Sequence, residues 1–172
     1  MKRIAPIAAL VCGLVATRPG AACTVGGPTP RPEQIVAKAT WVVRVKAVEY
    51  AEPPADEHIR TTGRAEAVVR FQVVEVLKGK GLTGDLELNG YLENRDDFND
   101  RPVPYDFIRP GGRWGSCHAN RYRAGAEYLL LLQKGEHGPT PDWSALSPTN
   151  EQLRGEDDEW LLWVRQRLKV KL

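Results

Sequence analysis

The stretch Ala65–Gly81 constrains the fold more than any other part of the chain. Val69, Phe71 and Val73 alternate with Arg70 and Gln72, the period of a strand with one buried face. The parity then slips: Val74 and Val76 are apolar and Glu75 is polar. A bulge near Val73–Val74 accounts for the slip and would coil the strand. Lys78-Gly79-Lys80-Gly81 ends it. A long, coiled, one-sided strand suits a small closed barrel; taken alone it favours an ordinary antiparallel sheet, and the rest of the chain raises the barrel reading.

The chain has 172 residues, enough for one domain with a real core. Met1–Ala22 reads as a secretory signal. Lys2 and Arg3 form its charged start, Ile4–Ala16 carries no charge, and Gly20-Ala21-Ala22 supplies small residues for cleavage. The apolar run is shorter than the ~20 residues that a membrane span requires. The expectation is a compact signal of bacterial type, a domain over Cys23–Leu172, and a secreted or periplasmic product. Losing Lys2, Arg3 and Arg18 turns the formal charge of +2 into −1. That leaves no basic field for nucleic acid.

Export changes how the cysteines read. Cys12 leaves with the signal, so Cys23 and Cys117 remain, and an oxidising compartment permits one bridge between them. The alternatives are two free thiols, or lipidation of Cys23. Ala21-Ala22-Cys23 fits the end of a lipoprotein signal, but Gly20 stands where Leu is expected, which favours the bridge. The loop-entropy model assigns so long a closure about 4–5 kcal/mol as an upper figure.

The prolines and glycines of Thr24–Pro32 predict an extended arm, with one helical turn over Glu33–Lys38. Ala39–Val48 predicts a strand with Trp41, Val43, Val45 and Ala47 on one face. Pro53–His58 predicts a hairpin loop, Asp85–Leu92 a third strand, and Tyr128–Leu132 a fully buried one. Glu93–Ser116 reads as a solvated loop. Gly135–Gly138 reads as a turn and Trp143 as the start of a short last strand. Ser147, Thr149 or Asn150 is expected to cap a short helix through Leu153. A second helix is expected from Asp157 or Asp158, burying Trp160, Leu161, Val164 and Leu168 and turning Arg165 and Arg167 to solvent. The predicted core is Trp41, Val43, Val45, Val69, Phe71, Val73, Leu86, Leu88, Leu130 and Leu132.

No catalytic constellation emerges. Gly115-Ser116-Cys117-His118 is similar to the surroundings of a papain-type nucleophile, but too few residues follow to supply that family's His and Asn. His58, His118 and His137 fall in three different predicted loops, a poor zinc set. Asp96-Asp97-Phe98-Asn99-Asp100-Arg101 lacks the alternating oxygens of a calcium loop. The expectation is a chain that is not an enzyme and needs no cofactor or metal of its own.

Several pieces in order carry a resemblance. Cys23-Thr24 is followed by Pro30, Pro32 and Gln34, then by Trp41-Val42-Val43-Arg44-Val45-Lys46 and Phe71-Gln72-Val73-Val74-Glu75-Val76-Leu77-Lys78-Gly79. Cys117 comes after a long loop, and Glu127-Tyr128-Leu129-Leu130 begins ten residues later. The set resembles the N-terminal domain of the tissue inhibitors of metalloproteinases and the wider netrin-like modules, over Cys23 to about Gln133. The resemblance implies a mainly β fold, a five-stranded OB-like barrel with flanking C-terminal helices. It implies a Cys23–Cys117 bridge and a Cys23 α-amino nitrogen and carbonyl oxygen that chelate the catalytic zinc of a protease. Thr24 would enter the specificity pocket and Val25 would adjoin it. Those inhibitors carry a cysteine where Val25 stands, and many netrin-like modules inhibit nothing. A monomeric secreted protein-binding module is therefore the first expectation, a metalloprotease inhibitor the second and a lipid-anchored envelope protein the third.

Overall fold

The computed structural model describes residues 30–54, 67–113, 117–141 and 143–169. The predicted signal, Cys23–Val25, most of the arm, the tip of the Pro53–His58 loop with His58, and Gly115-Ser116 lie outside these residues.

The architecture is mainly β, an antiparallel sheet with a helix at its C-terminal end. Its elements are α1 (Pro32–Lys38), β1 (Trp41–Glu52), β2 (Val68–Lys78), β3 (Leu86–Asn89), β4 (Tyr91–Glu93), β5 (Arg121–Arg123), β6 (Glu127–Gly135), β7 (Gly138–Thr140), β8 (Asn150–Gln152) and α2 (Glu159–Lys169). The main sheet runs β3-β2-β1-β6-β7, with β8 also on β6, and all its pairings are antiparallel. β4 and β5 form a separate parallel pair. Among the described residues this path traces no closed barrel.

The inner face follows the period-2 reading. Val43, Val45, Ala47, Val69, Phe71, Leu86, Leu88, Leu130 and Leu132 bury into one cluster, with Trp41 and Val73 half-buried at its margin. Tyr122 and Tyr128 complete it, and Phe71 meets both rings edge-on at 4.8 and 6.3 Å. The other face is buried as well. Val42, Leu129 and Leu131 pack against Ile35 and Val36 of α1 and Trp160, Leu161 and Val164 of α2. A strand buried on both faces needs a continuous apolar run, and Tyr128–Leu132 supplies it.

The expected bulge is present. Arg44 pairs with Glu75 and Val45 with Val73, which leaves Val74 without a partner on β1. Beyond it Glu75 and Leu77 face the helices: Glu75 accepts from Arg165 at 2.5 Å and Leu77 joins the outer cluster. The parity therefore slips, but Val74 and Val76 remain 46% and 42% exposed. β3 pairs only with Val68–Phe71, so that half of β2 has no strand partner on its β3 edge among the described residues.

Other expectations need correction. The proline of the arm nearest the sheet, Pro32, is the first residue of α1, where its missing N–H is harmless. β1 continues to Glu52. The third strand breaks at Gly90, where a side chain would run into the Tyr122 ring and the Asn120 carbonyl. The last hairpin strand is Gly138–Thr140; Trp143 starts none and instead donates to the Leu131 carbonyl at 3.0 Å. The helix expected to end at Leu153 is strand β8, because Asn150–Gln152 adds to the β6 edge opposite Tyr128–Leu130. Asp158 caps α2, accepting from the Trp160 and Leu161 N–H groups at 2.9 and 3.4 Å. Arg165 is half-buried on Glu75 rather than turned to solvent. Arg44 is 7% exposed; it donates to Glu127 at 2.7 Å and to Glu156 at 3.2 Å, which raises its pKa.

Candidate functional site

Of the residues that the sequence nominates, only Cys117 lies among those described; Cys23, Thr24 and Val25 do not. Cys117 is disulfide-bonded, and its partner is outside the described residues. It stands just ahead of β5, with φ at +62°, a left-handed conformation rare for a residue with a side chain. Leu146, at φ +60°, donates its N–H to the Cys117 carbonyl at 2.8 Å. The Leu146 carbonyl in turn accepts from Ile108 at 2.9 Å. Two unfavourable conformers are thus tied to each other and to a third segment. Such strain persists only where the surroundings over-determine it.

Those surroundings are polar and buried. Arg109 is wholly buried, although it belongs to a stretch whose composition reads as solvated loop. Its guanidinium donates to Asp97, to the Asn150 carbonyl at 2.9 Å and to the Ala119 carbonyl at 3.0 Å. It also lies over the Tyr122 and Tyr128 rings, 5.4 Å from each centroid. Asn150 donates to the same Ala119 carbonyl and to the Tyr122 hydroxyl at 3.0 Å. Gly112 allows the approach, since a Cβ there would strike Ile108 and the Ala119 nitrogen. The residues just after Cys117 are therefore clamped between the 97–112 segment and β8.

Glu151 secures the other side. It is fully buried and accepts from Asn99 Nδ2 at 2.8 Å and from the Arg109 N–H at 3.2 Å. Burial pushes its carboxyl up to about 7. Gln152 holds the start of the segment, accepting from the Asp97 N–H at 2.8 Å and donating to Asp96 at 2.5 Å. The result is a hydrogen-bonded pedestal under Cys117, made from a loop, an edge strand and β5.

Sequence reading found Cys117 and missed the pedestal. Its one legible sign was Arg109-Pro110-Gly111-Gly112, where a cation precedes a tight turn. Nothing in the sequence shows that this cation goes inward.

A groove of about 610 Å³ opens beside the pedestal, lined by Asn99, Asp100, Tyr105, Arg154 and Asp158 among others. Several of its carboxylates are already committed. Asp100 is held below the usual carboxylate range by its hydrogen bonds from Arg113, Glu156 pairs with Arg44, and Asp158 caps α2. Among the described residues no three His, Cys, Asp or Glu stand together to hold a metal ion, and no helix is long and apolar enough to cross a membrane. Sequence comparison finds no protein-family model and no curated protein that the chain matches significantly.

Proposed function

We propose that the chain is a secreted, non-enzymatic protein-binding module of netrin-like type, whose anchored N-terminus is its contact element. The observation that carries this reading is the disulfide-bonded, left-handed Cys117 on its buried pedestal. The sequence offers only Cys12 and Cys23 as its partner, and Cys12 falls within the predicted signal. A Cys23–Cys117 bridge would fix the first residue of the mature chain to the hydrogen-bonded loop ahead of β5. A terminus ordered in advance loses little entropy on binding.

The fold proposal is an OB-like barrel of five strands. β3 turns at Gly90 into β4, β4 lies parallel to β5, and β5 leads through a three-residue turn into β6. That turn hydrogen-bonds Ala47 of β1 at 2.8 and 3.0 Å. Tyr122 of β5 fills the same cluster as the inner faces of β1, β2, β3 and β6. The circuit would close across β5 and β6, which are consecutive in the chain.

A narrower reading makes the partner a zinc metalloprotease. The amine and carbonyl of Cys23 would occupy the coordination position that a catalytic zinc leaves open, with Thr24 and Val25 lining the contact. The same pedestal favours it, because chelation needs a terminus held still.

Intact mass of the exported protein, before and after reduction, tests both readings. The expected product starts at Cys23 and gains about two hydrogens on reduction, as breaking one disulfide requires. A diacylglycerol-sized excess on Cys23 would replace both readings with that of a lipid-anchored envelope protein. For the inhibitor reading, one residue added ahead of Cys23 should abolish inhibition of a zinc protease while the fold stays intact. Undiminished inhibition by that variant rules out chelation by the terminus.

A further inference from the structure

The Arg109 cluster carries an odd charge. Arg109 takes its ion pair from Asp97. Glu151 is as deeply buried as Arg109, yet its two hydrogen bonds come from neutral donors, the Asn99 amide and a backbone N–H. Among the described residues it forms no salt bridge. Arg109 thus faces two carboxylates, the nearby Arg113 is already paired with Asp100, and ionised Glu151 is a surplus negative charge in a dry site.

The groups around it fix the direction of the response. From the 94–113 segment, Arg109 and the Asn99 bond favour its ionised form, while Asp97 opposes it. The Arg113 guanidinium of the same segment also attracts the ionised form, and the charge on Glu151 helps keep the Tyr105 hydroxyl protonated. Its β8 neighbours, Asn150 and Gln152, are neutral, and β6 presents the apolar Leu129 opposite it. Burial outweighs these interactions, so the carboxyl prefers a proton near neutrality.

We propose that Glu151 is a proton-operated latch: protonated, it lets the 97–112 segment close on β8, and ionised, it favours release of that segment to water. The sign follows from linkage. The closed form binds the proton more tightly than an open form in which Glu151 has its ordinary value of 4.5. Closure therefore strengthens as pH falls from about 7 toward 4.5 and is weakest above 7. The latch holds whatever the N-terminus binds, since it concerns the free protein alone. It also reaches Cys117, because the residues that Arg109 clamps begin two positions after it.

Two measurements on the purified protein test it. Carbon-13 titration of the Glu151 carboxyl should give a midpoint near 7; a midpoint below about 5.5 overturns the proposal. Hydrogen exchange of the 97–112 amides, corrected for intrinsic rate, should show the open fraction rising about tenfold per pH unit between about 5 and 7. These amides should also open more readily than those of β1. The pH slope should vanish in Glu151→Gln. A flat slope in the wild type, or a 97–112 segment that exchanges only together with β1, overturns the latch. Should Glu151→Gln not fold, the wild-type titration and slope decide alone.

Discussion

Arg109 shows how much one buried cation can organise. Its guanidinium binds a carboxylate and two backbone carbonyls, the Ala119 one shared with the Asn150 amide, and it covers two tyrosine rings. Removing it leaves Asp97 with the Gly111 N–H but no cation, takes a donor from the Asn150 carbonyl and leaves the Ala119 carbonyl to the Asn150 amide. Arg109→Met keeps much of the volume and none of the donors. Breaking one side of a buried pair costs about 3–5 kcal/mol, and urea denaturation should show a loss of that size. A change under about 1 kcal/mol would mean that water enters and substitutes for the guanidinium. Arg113 is a control. It is partly exposed and holds the exposed Asp100, so its loss should cost less than that of Arg109.

At the scale of elements, strand β2 separates what packing stabilises from what composition suggests. Phe71 is wholly buried between two tyrosine rings, and Phe71→Ala should cost about 3–5 kcal/mol. Val74 and Val76 are as apolar as Val69 yet stand beyond the reach of β3. Val74→Thr should stay within about 0.5 kcal/mol. Matched denaturation curves check both, and a large loss at Val74 would mean that another element covers the edge. The contrast explains what was legible in the sequence. The inner faces of β1, β2, β3 and β6 were, because alternation is a local property. The apolar face of α2 was too, because helical spacing is equally local. The face of β1 that carries Val42 and Arg44 was not, since its burial depends on helices placed by the whole fold. β8 and the 94–113 segment were hidden for a related reason. Asn150, Glu151 and Gln152 look like cap and loop residues, and they are buried only because each finds a partner far along the chain. Of the candidate site, Cys117 was legible from cysteine arithmetic, while the network holding it was not.

For the whole molecule, the disulfide and the sheet are separable supports. The inner cluster draws on β1, β2, β3, β5 and β6 and contains no cysteine. The outer cluster joins α1 and α2 to the sheet without one either. A single domain of this size has a stability of roughly 5–15 kcal/mol, and the loop-entropy value of a long bridge is at most about 4–5 kcal/mol. Reduction should therefore lower the urea midpoint without unfolding the domain under native conditions. Far-UV circular dichroism should stay unchanged. On the reading proposed for Cys23, partner binding should fall much more than stability does, because a released terminus must be ordered again each time it binds. Reduction and Cys117→Ser should then weaken binding alike, and the wild type should recover on reoxidation. Alkylating the reduced thiols should block that recovery. Partner affinity that survives reduction unchanged, in a protein shown by mass to be fully reduced, would remove the anchored terminus as the contact element. The exposed half of β2, with Val74 and Val76, would then be the surface to mutate.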